Sequence, residues 1–242
     1  MELKILGTSD EILEERSVGR LSHAERYALL YALYKEWQGR EVTIELGSIP
    51  ERDIRMALFD LDGTLVKGEY MHELAPFTTS PDKMRRFTQE ALDGEEEWEQ
   101  SFRKRVALLK GIPVEQALEI AQQMKVSDKM KSWIEKLQKR GCEVGILTGA
   151  YHRLALLIAD ELGVELVCSS HLEEQDGLLT GRVEGTPLTP YRKALTLIRF
   201  AEERELSLDQ VLAVGDSVAD FPMLSLAGHS LLCCTHTPLP MR

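Results

Sequence analysis

Aspartates follow two of the apolar segments in this sequence, where their carboxylates are placed to share one site. Asp60 and Asp62 come directly after the apolar run IRMALF. Asp216 follows the run QVLAVG, and Asp220 lies four residues further on. Carboxylate oxygens are ligands that a hard cation such as Mg²⁺ prefers. If the two segments are neighbouring strands, these aspartates form an oxygen-lined Mg²⁺ site.

Such a site suits the transfer of a phosphoryl group. A carboxylate beside a bound cation stays ionised, and a phosphate neutralised by that cation no longer repels it, so Asp60 can attack phosphorus. The reaction also needs in-line placement and positive charge around the transferred group. Lys193 is placed to supply that charge. The Thr148 hydroxyl and the Gly149 amide are placed to hold a phosphate oxygen at the start of a helix. These residues predict a Mg²⁺-dependent phosphatase with a phospho-aspartyl intermediate.

Apolar strand patterns alternate with helical patterns along most of the chain, which predicts a parallel sheet covered by helices on both faces. The fold class is therefore α/β, with a doubly wound parallel sheet. In such a sheet the site belongs at the carboxyl ends of the strands. The predicted strands of the core lie at 54–60, 142–148, 164–169, 210–216 and 230–234, and a hairpin is predicted at 171–185.

The chain divides into three predicted parts. A charged, helical segment at 67–126 interrupts the alternating pattern directly after the first core strand, and we interpret it as a cap that closes over the site. The core then comprises 53–66 and 127–242. Residues 1–52 form an N-terminal extension with a helix over 23–37, which Ser22 and Glu25 begin as a capping box, and a strand at 42–46. The extension could pack on the sheet edge, form a homodimer contact or bind a regulator, and the sequence does not choose among these.

Composition limits the function classes. The chain has 242 residues and a formal net charge of -11, which argues against a nucleic-acid partner. No window reaches the roughly 18 apolar residues of a membrane span. The N-terminal residues are unlike a signal peptide, and the four cysteines fit no zinc pattern. We expect a cytoplasmic protein whose partner is a small phosphorylated metabolite.

Four motifs together resemble the haloacid dehalogenase superfamily of aspartate-nucleophile phosphatases, over about residues 54–235. They are FDLDGTLV, ILTGA, the lysine at Lys193 and GDSVADFPML. The resemblance implies a Rossmann-like core with an inserted cap and a bound Mg²⁺.

The resemblance also implies a role for each aspartate. Asp60 would be the nucleophile, and Asp62 the general acid and base that protonates the leaving alcohol and later activates water. Asp60, the backbone carbonyl of Asp62 and Asp216 would hold the Mg²⁺. Asp220 would be a supporting carboxylate.

Within that superfamily the sequence is most similar to phosphoserine phosphatases. The stretch DLDGTLVKGEYMHELA places Glu69 where the family binds the substrate amine, and gapless spacing through the cap places Arg105 where it binds the carboxylate. Leu92 and Trp98 fall on apolar lid positions. A glutamate and an arginine are the pair that an amino-acid head group requires. The implied substrate is L-phosphoserine.

Two positions depart from the family pattern, and other interpretations stay open. Ala219 stands where the fourth motif commonly has Asn, and the second motif reads TGA where SGG is usual. The same core would serve another small phosphorylated metabolite, a phosphotransferase, or a non-catalytic regulatory module. Taken singly, Lys193 could be a surface lysine, Glu69 and Arg105 surface ion pairs, and Leu92 and Trp98 ordinary cap core.

Overall fold

The computed structural model describes residues 1–47 and 53–234, which form one nine-stranded sheet with helices on both faces. The strands are β1 (Glu2–Leu6), β2 (Ile12–Ser17), β3 (Thr43–Leu46), β4 (Met56–Phe59), β5 (Glu143–Tyr151), β6 (Leu166–Gln175), β7 (Leu178–Glu184), β8 (Val211–Gly215) and β9 (His229–Cys233). The helices are α1 (His23–Trp37), α2 (Tyr70–Leu74), α3 (Pro81–Leu92), α4 (Trp98–Ala107), α5 (Val114–Gln123), α6 (Asp128–Lys139), α7 (His152–Leu162), α8 (Pro190–Glu203) and α9 (Phe221–Leu226).

The sheet has the strand order β2-β1-β3-β9-β8-β4-β5-β6-β7. Its middle five strands, from β9 to β6, are parallel, whereas the remaining strands pair antiparallel. This architecture confirms the predicted doubly wound α/β fold. Within the described ranges, no helix combines the length and apolarity needed to cross a bilayer.

Strand β4 is the middle one of the five parallel strands and is buried on both faces. Met56 and Leu58 belong to the apolar cluster beneath α1, α8 and α9, whereas Ala57 and Phe59 belong to the cluster on the opposite face, with α6 and α7. Side chains alternate between the two faces of a strand, so a strand covered on both sides must be apolar throughout. This requirement explains the unbroken apolar run before the first aspartate.

The N-terminal extension continues the central sheet. Strand β3 pairs antiparallel with β9, β1 pairs with β3, and β2 forms the outer edge. The sequence predicted the helix and β3, whereas β1 and β2 were not predicted. Helix α1 begins after Ser22 with the predicted capping box, in which Ser22 and Glu25 each accept the other's backbone N–H. The predicted boundary between residues 52 and 53 lies partly outside the described residues, as do residues 235–242 of the predicted core.

Helices α2 to α5 form the predicted cap between β4 and α6. The β6–β7 hairpin, also predicted, hydrogen-bonds to the cap: the Gly111 N–H donates to the Leu179 carbonyl at 2.8 Å, and the Leu179 N–H donates to Ile112 at 2.9 Å. Gly181, at φ +80°, lies so close to the cap that an added Cβ would approach Lys110 Cβ to 2.9 Å. The cap therefore contacts the core along this hairpin. The division of the chain into three domains, namely the extension, the core and the cap, stays a prediction.

Candidate active site

The carboxyl ends of β4 and β8 bring the aspartates of both motifs together. The Asp60 N–H donates to the Val214 carbonyl at 2.9 Å, which fixes Asp60 beside the end of β8. One carboxylate oxygen from each of Asp60, Asp216 and Asp220 lies within 4.8 Å of the other two. Because the two strands are parallel neighbours, their ends meet at one sheet edge, as the sequence predicted.

Lys193 lies between two of these carboxylates. Its Nζ is 2.7 Å from Asp60 Oδ1 and 2.8 Å from Asp220 Oδ1, and only 4% of the residue is exposed. Burial lowers the pKa of Lys193, but the charges of Asp220 and Asp60 outweigh that effect and raise it overall. The lysine is therefore a buried cation, and the interpretation as a surface lysine is wrong.

Both oxygens of Asp220 are already engaged. Oδ1 accepts from Lys193, and Oδ2 accepts from the backbone N–H groups of Asp216 at 3.1 Å and Ser217 at 3.3 Å. Gly215 makes room for this arrangement, because an added Cβ would lie 2.5 Å from Asp220 Cβ. Asp220 therefore holds the lysine and the loop after β8 in place.

Asp60, Asp62 and Asp216 together carry more negative charge than the single positive charge of Lys193 can neutralise. Burial and then the charge of Asp220 raise the pKa of Asp60, and the same two causes raise the pKa of Asp216. Burial and the charges of Glu69 and Asp60 raise the pKa of Asp62. A divalent cation among these hard oxygen ligands would remove the repulsion. The donor set therefore fits Mg²⁺.

The loop after Asp60 turns sharply beneath Asp216. Gly63 has φ +75°, and an added Cβ would lie 2.2 Å from Asp216 Oδ2, so only glycine fits there. The Thr64 hydroxyl donates to Asp216 Oδ1 at 3.3 Å, and Asp62 Oδ1 accepts from the Tyr70 N–H at 3.3 Å. These contacts connect the start of the cap to the aspartates.

Thr148 and Gly149 lie near the carboxyl end of β5, the neighbour of β4. Thr148 is buried, and its Oγ1 accepts from the Ala150 N–H at 3.1 Å. Both residues face the same cavity as Asp60. Their predicted role in binding phosphate has a suitable position and stays a prediction.

A cavity of about 230 Å³ lies between the sheet edge and the cap. It brings together every site residue predicted from the sequence except Asp220, which lies behind Lys193. These lining residues are Asp60, Asp62, Glu69, Leu92, Trp98, Arg105, Thr148, Gly149, Lys193 and Asp216.

Arg105 reaches the cavity from the cap. Trp98, Phe102 and Arg105 follow one another at i, i+4 and i+7 on α4, so they share one face of that helix. Arg105 is 8% exposed, and its Nε has no hydrogen-bond partner among the described residues. Burial lowers the pKa of Arg105, while the charges of Glu69 and Asp62 oppose this. A buried guanidinium with spare donors is suited to bind an anion, and a surface ion pair does not describe it.

Sequence reasoning did not find several residues of the cavity. Phe102 could have been found, because it lies one turn from Arg105 on an already identified helix. Tyr34 carries no local signal, since it comes from the N-terminal helix, far along the chain from every motif. The lining residues that were not singled out are Tyr34, Met71, Thr88, Phe102, Pro187, Leu188, Thr189, Pro190 and Ser217, whereas Ala150 and Ala219 belong to the two motif departures noted from the sequence.

Comparison with known sequences identifies similar enzymes. The profile of haloacid dehalogenase-like hydrolases matches residues 57–225. A phosphoserine phosphatase of Mycobacterium tuberculosis is 34% identical over 188 residues, which is 78% of this chain but 46% of that protein. A phosphoserine phosphatase of Methanocaldococcus jannaschii is 32% identical over 184 residues, covering 76% of this chain and 87% of that protein. The chain thus spans less than half the length of the first relative and most of the second.

Solved structures give the same result. A substrate-bound phosphoserine phosphatase complex superposes with a TM-score of 0.67 at 32% identity, covering 72% of this chain and 83% of that one. A phospho-aspartyl intermediate analogue of phosphoserine phosphatase has the same TM-score and identity, covering 72% and 84%. Both the fold and the resemblance predicted from the motifs are confirmed.

Proposed function

Because this chain belongs to the haloacid dehalogenase-like hydrolase family, we propose that it hydrolyses L-phosphoserine through a phospho-aspartyl intermediate on Asp60. Its family and its relatives indicate a phosphoric monoester hydrolase. The observation that carries the choice of substrate is the cavity, whose two ends differ chemically. Asp60 and Lys193 lie at the sheet end, and Arg105 and Glu69 lie toward the cap.

The two ends match the two ends of phosphoserine. Arg105 would bind the carboxylate, and Glu69 the ammonium group. Leu92 and Trp98 would form the apolar walls around the carbon atoms between them. At the other end, Lys193, the Thr148 hydroxyl and the Gly149 amide would bind the phosphate oxygens.

In the first step, an Asp60 oxygen attacks phosphorus, and the bond from phosphorus to the serine oxygen breaks. Asp62 donates a proton to that oxygen, so serine leaves as the neutral alcohol. Burial and the charges of Glu69 and Asp60 raise the pKa of Asp62, which favours its protonated form and so supports its role as an acid. In the second step, Asp62 takes a proton from water, which attacks phosphorus and releases inorganic phosphate with regeneration of Asp60.

Mg²⁺ would be held by Asp60, Asp216 and the backbone carbonyl of Asp62. Asp220 is a supporting residue in this proposal, because Lys193 and two backbone N–H groups already use its oxygens. The bound cation would neutralise charge on the phosphate and keep Asp60 ionised. Lys193, whose Nζ lies 2.7 Å from Asp60 Oδ1, helps to orient the attacking carboxylate.

A panel of phosphate esters tests the substrate. Released phosphate is measured, with and without Mg²⁺, for L-phosphoserine, phosphoethanolamine, which lacks the carboxylate, and p-nitrophenyl phosphate. We expect a Mg²⁺-dependent preference for L-phosphoserine. Arg105→Ala should lower kcat/KM for L-phosphoserine by about 100-fold, since a charged hydrogen-bonding group is lost, and change p-nitrophenyl phosphate turnover little.

Arg103→Ala is the matched control, because Arg103 lies on the same helix but pairs with Glu99 at the surface. Equal turnover of phosphoserine and phosphoethanolamine by the wild type would reject the head-group assignment. The same panel, extended to other metabolites and to alcohol acceptors, separates the alternative of another substrate or a phosphotransferase. A complete lack of turnover would favour a regulatory module. The cytoplasmic location and a homodimer stay predictions.

A further inference from the structure

The N-terminal helix contributes one side chain to the active-site cavity. Tyr34 lies in the last turn of α1 and lines the same cavity as Asp216, Ser217 and Ala219. The extension to which it belongs precedes all four motifs of the phosphatase core. A residue supplied from there is a part of the site that the motifs do not describe.

The position of Tyr34 is fixed by packing against α9. Its ring meets that of Phe221 edge-on, with centroids 5.7 Å apart and an interplanar angle of 81°. Phe221 is fully buried and directly follows Asp220, whose carboxylate holds the loop after β8. Tyr34 is therefore held against the same short segment that carries Asp216.

Two other tyrosines of α1 provide an internal comparison. Tyr27 and Tyr31 also meet Phe221 edge-on, with centroids 5.7 and 6.4 Å away, and 41% and 45% of their surfaces are exposed. Neither lines the cavity. Packing against Phe221 is thus common to all three residues, whereas contact with the cavity distinguishes Tyr34.

Tyr34 supplies a phenol hydroxyl, which can donate a hydrogen bond. Burial, followed by the charge of Asp216, raises the pKa of Tyr34, so the phenol stays protonated at neutral pH. Ala219, which lines the same cavity, offers only a methyl group, at the position where similar motifs commonly carry an amide. The cavity therefore has a donor in Tyr34 and, at position 219, a small side chain that leaves room for a ligand.

We propose that the Tyr34 hydroxyl donates a hydrogen bond to a phosphate oxygen of the bound substrate, in place of a polar side chain at position 219. The N-terminal extension is then a part of the active site. This inference rests on the proposed function only in requiring a phosphate monoester as ligand, whatever alcohol it carries.

Tyr34→Phe tests the proposal, because it keeps the ring and removes only the hydroxyl. The readouts are inhibition by inorganic phosphate, KM and kcat with p-nitrophenyl phosphate, and the melting temperature. We expect phosphate inhibition to weaken about tenfold, as for the loss of one hydrogen bond to a charged group. The melting temperature should stay that of the wild type. Tyr31→Phe, the matched control, should change none of these values.

A second variant places a hydrogen-bond donor at position 219 instead. Ala219→Asn in the Tyr34→Phe background should recover most of the phosphate inhibition, which a purely structural role of Tyr34 would not predict. Unchanged phosphate inhibition in Tyr34→Phe would overturn the proposal, as would an equal loss in Tyr31→Phe. Failure of the wild type on L-phosphoserine, with turnover of p-nitrophenyl phosphate, would reject the proposed substrate and leave this test valid.

Discussion

At the scale of single residues, Asp216 forms no ion pair of its own within the described ranges, whereas Asp60 and Asp220 share Lys193. Burial and the charges of Asp220 and Asp60 raise the pKa of Asp216, so its ionised form opposes folding when no cation is bound. The same carboxylate should therefore weaken the metal-free protein and stabilise the cation-bound protein.

Asp216→Asn should separate these two effects. In EDTA we expect the variant to melt no lower than the wild type, because one of several repelling carboxylates is neutral. Mg²⁺ should raise the melting temperature of the wild type and hardly that of the variant, since ligand binding to the native state adds stability. The measurement is thermal unfolding with EDTA or Mg²⁺.

Glu119→Gln, which removes an equal charge from the exposed surface of α5, is the control and should behave as the wild type does. An equal Mg²⁺ response in Asp216→Asn would show that the cation binds elsewhere.

His229 should make stability fall in mild acid. It is 9% exposed, its Nδ1 has no hydrogen-bond partner among the described residues, and burial is the main cause that lowers its pKa. The unfolded chain then binds a proton at a higher pH, near the ordinary value of about 6.5. Stability contributed by the neutral ring is complete above that pH and is lost as the pH falls through the lower, folded-state pKa.

The test compares the free energy of unfolding in urea between about pH 7 and pH 5 for the wild type and His229→Gln, since glutamine keeps a donor but does not titrate. The wild type should lose more stability than the variant over this range. If the free energy of unfolding falls equally with pH in both proteins, other groups account for the loss of stability in acid. His72 is one such group, because burial also lowers its pKa.

At the scale of elements, strong local signals were sufficient for prediction. Helix α1 has a capping box and regular apolar spacing, and both of its ends agree with the sequence prediction. Strand β1 alternates polar and apolar residues over only five positions, and β2 is an edge strand exposed along nearly its whole length, with three charged residues. Its pairing is a long-range property of the sheet, which a local pattern cannot encode.

Helix α1 should contribute substantially to stability through its buried face. Leu30 is fully buried in the cluster beneath the sheet, so Leu30→Ala should cost about 2–5 kcal/mol of unfolding free energy by leaving a cavity. Leu195→Ala is the matched control, because Leu195 on α8 is 47% exposed, and it should cost less than about 0.5 kcal/mol. Urea unfolding measures both. Equally small losses of unfolding free energy in the two variants would mean that α1 packs only weakly against the sheet.

At the scale of the whole molecule, the candidate site depends on contacts between distant segments of the chain. Some of these contacts can be predicted from the sequence, and others cannot. The loop from Asp60 to Thr64 and the segment from Asp216 to Asp220 were predictable, because each carries its chemistry within a few residues. Their meeting followed from the general geometry of parallel sheets. Tyr34 reaches the site only because α1 packs on α9, and that contact depends on the fold as a whole.

The continuous sheet predicts that the extension and the core unfold together. Strand β3 hydrogen-bonds directly to β9, and α1 belongs to the same apolar cluster as β4 and α8, so separating the extension would expose an edge and a core face at once. Such shared burial makes unfolding cooperative.

The three tryptophans allow a direct test, because Trp37 lies in α1, Trp98 in the cap, and Trp133 in α6 against Phe59. Variants that keep a single tryptophan, with phenylalanine at the other two positions, report on each part by fluorescence during urea unfolding. We expect the Trp37 and Trp133 variants to give midpoints that agree with the circular dichroism of the same variant. If the fluorescence of Trp37 changes at a lower urea concentration than the circular dichroism of the same variant, residues 1–47 unfold as an independent unit. The contribution of Tyr34 to the site would then depend on whether that unit is packed against the core.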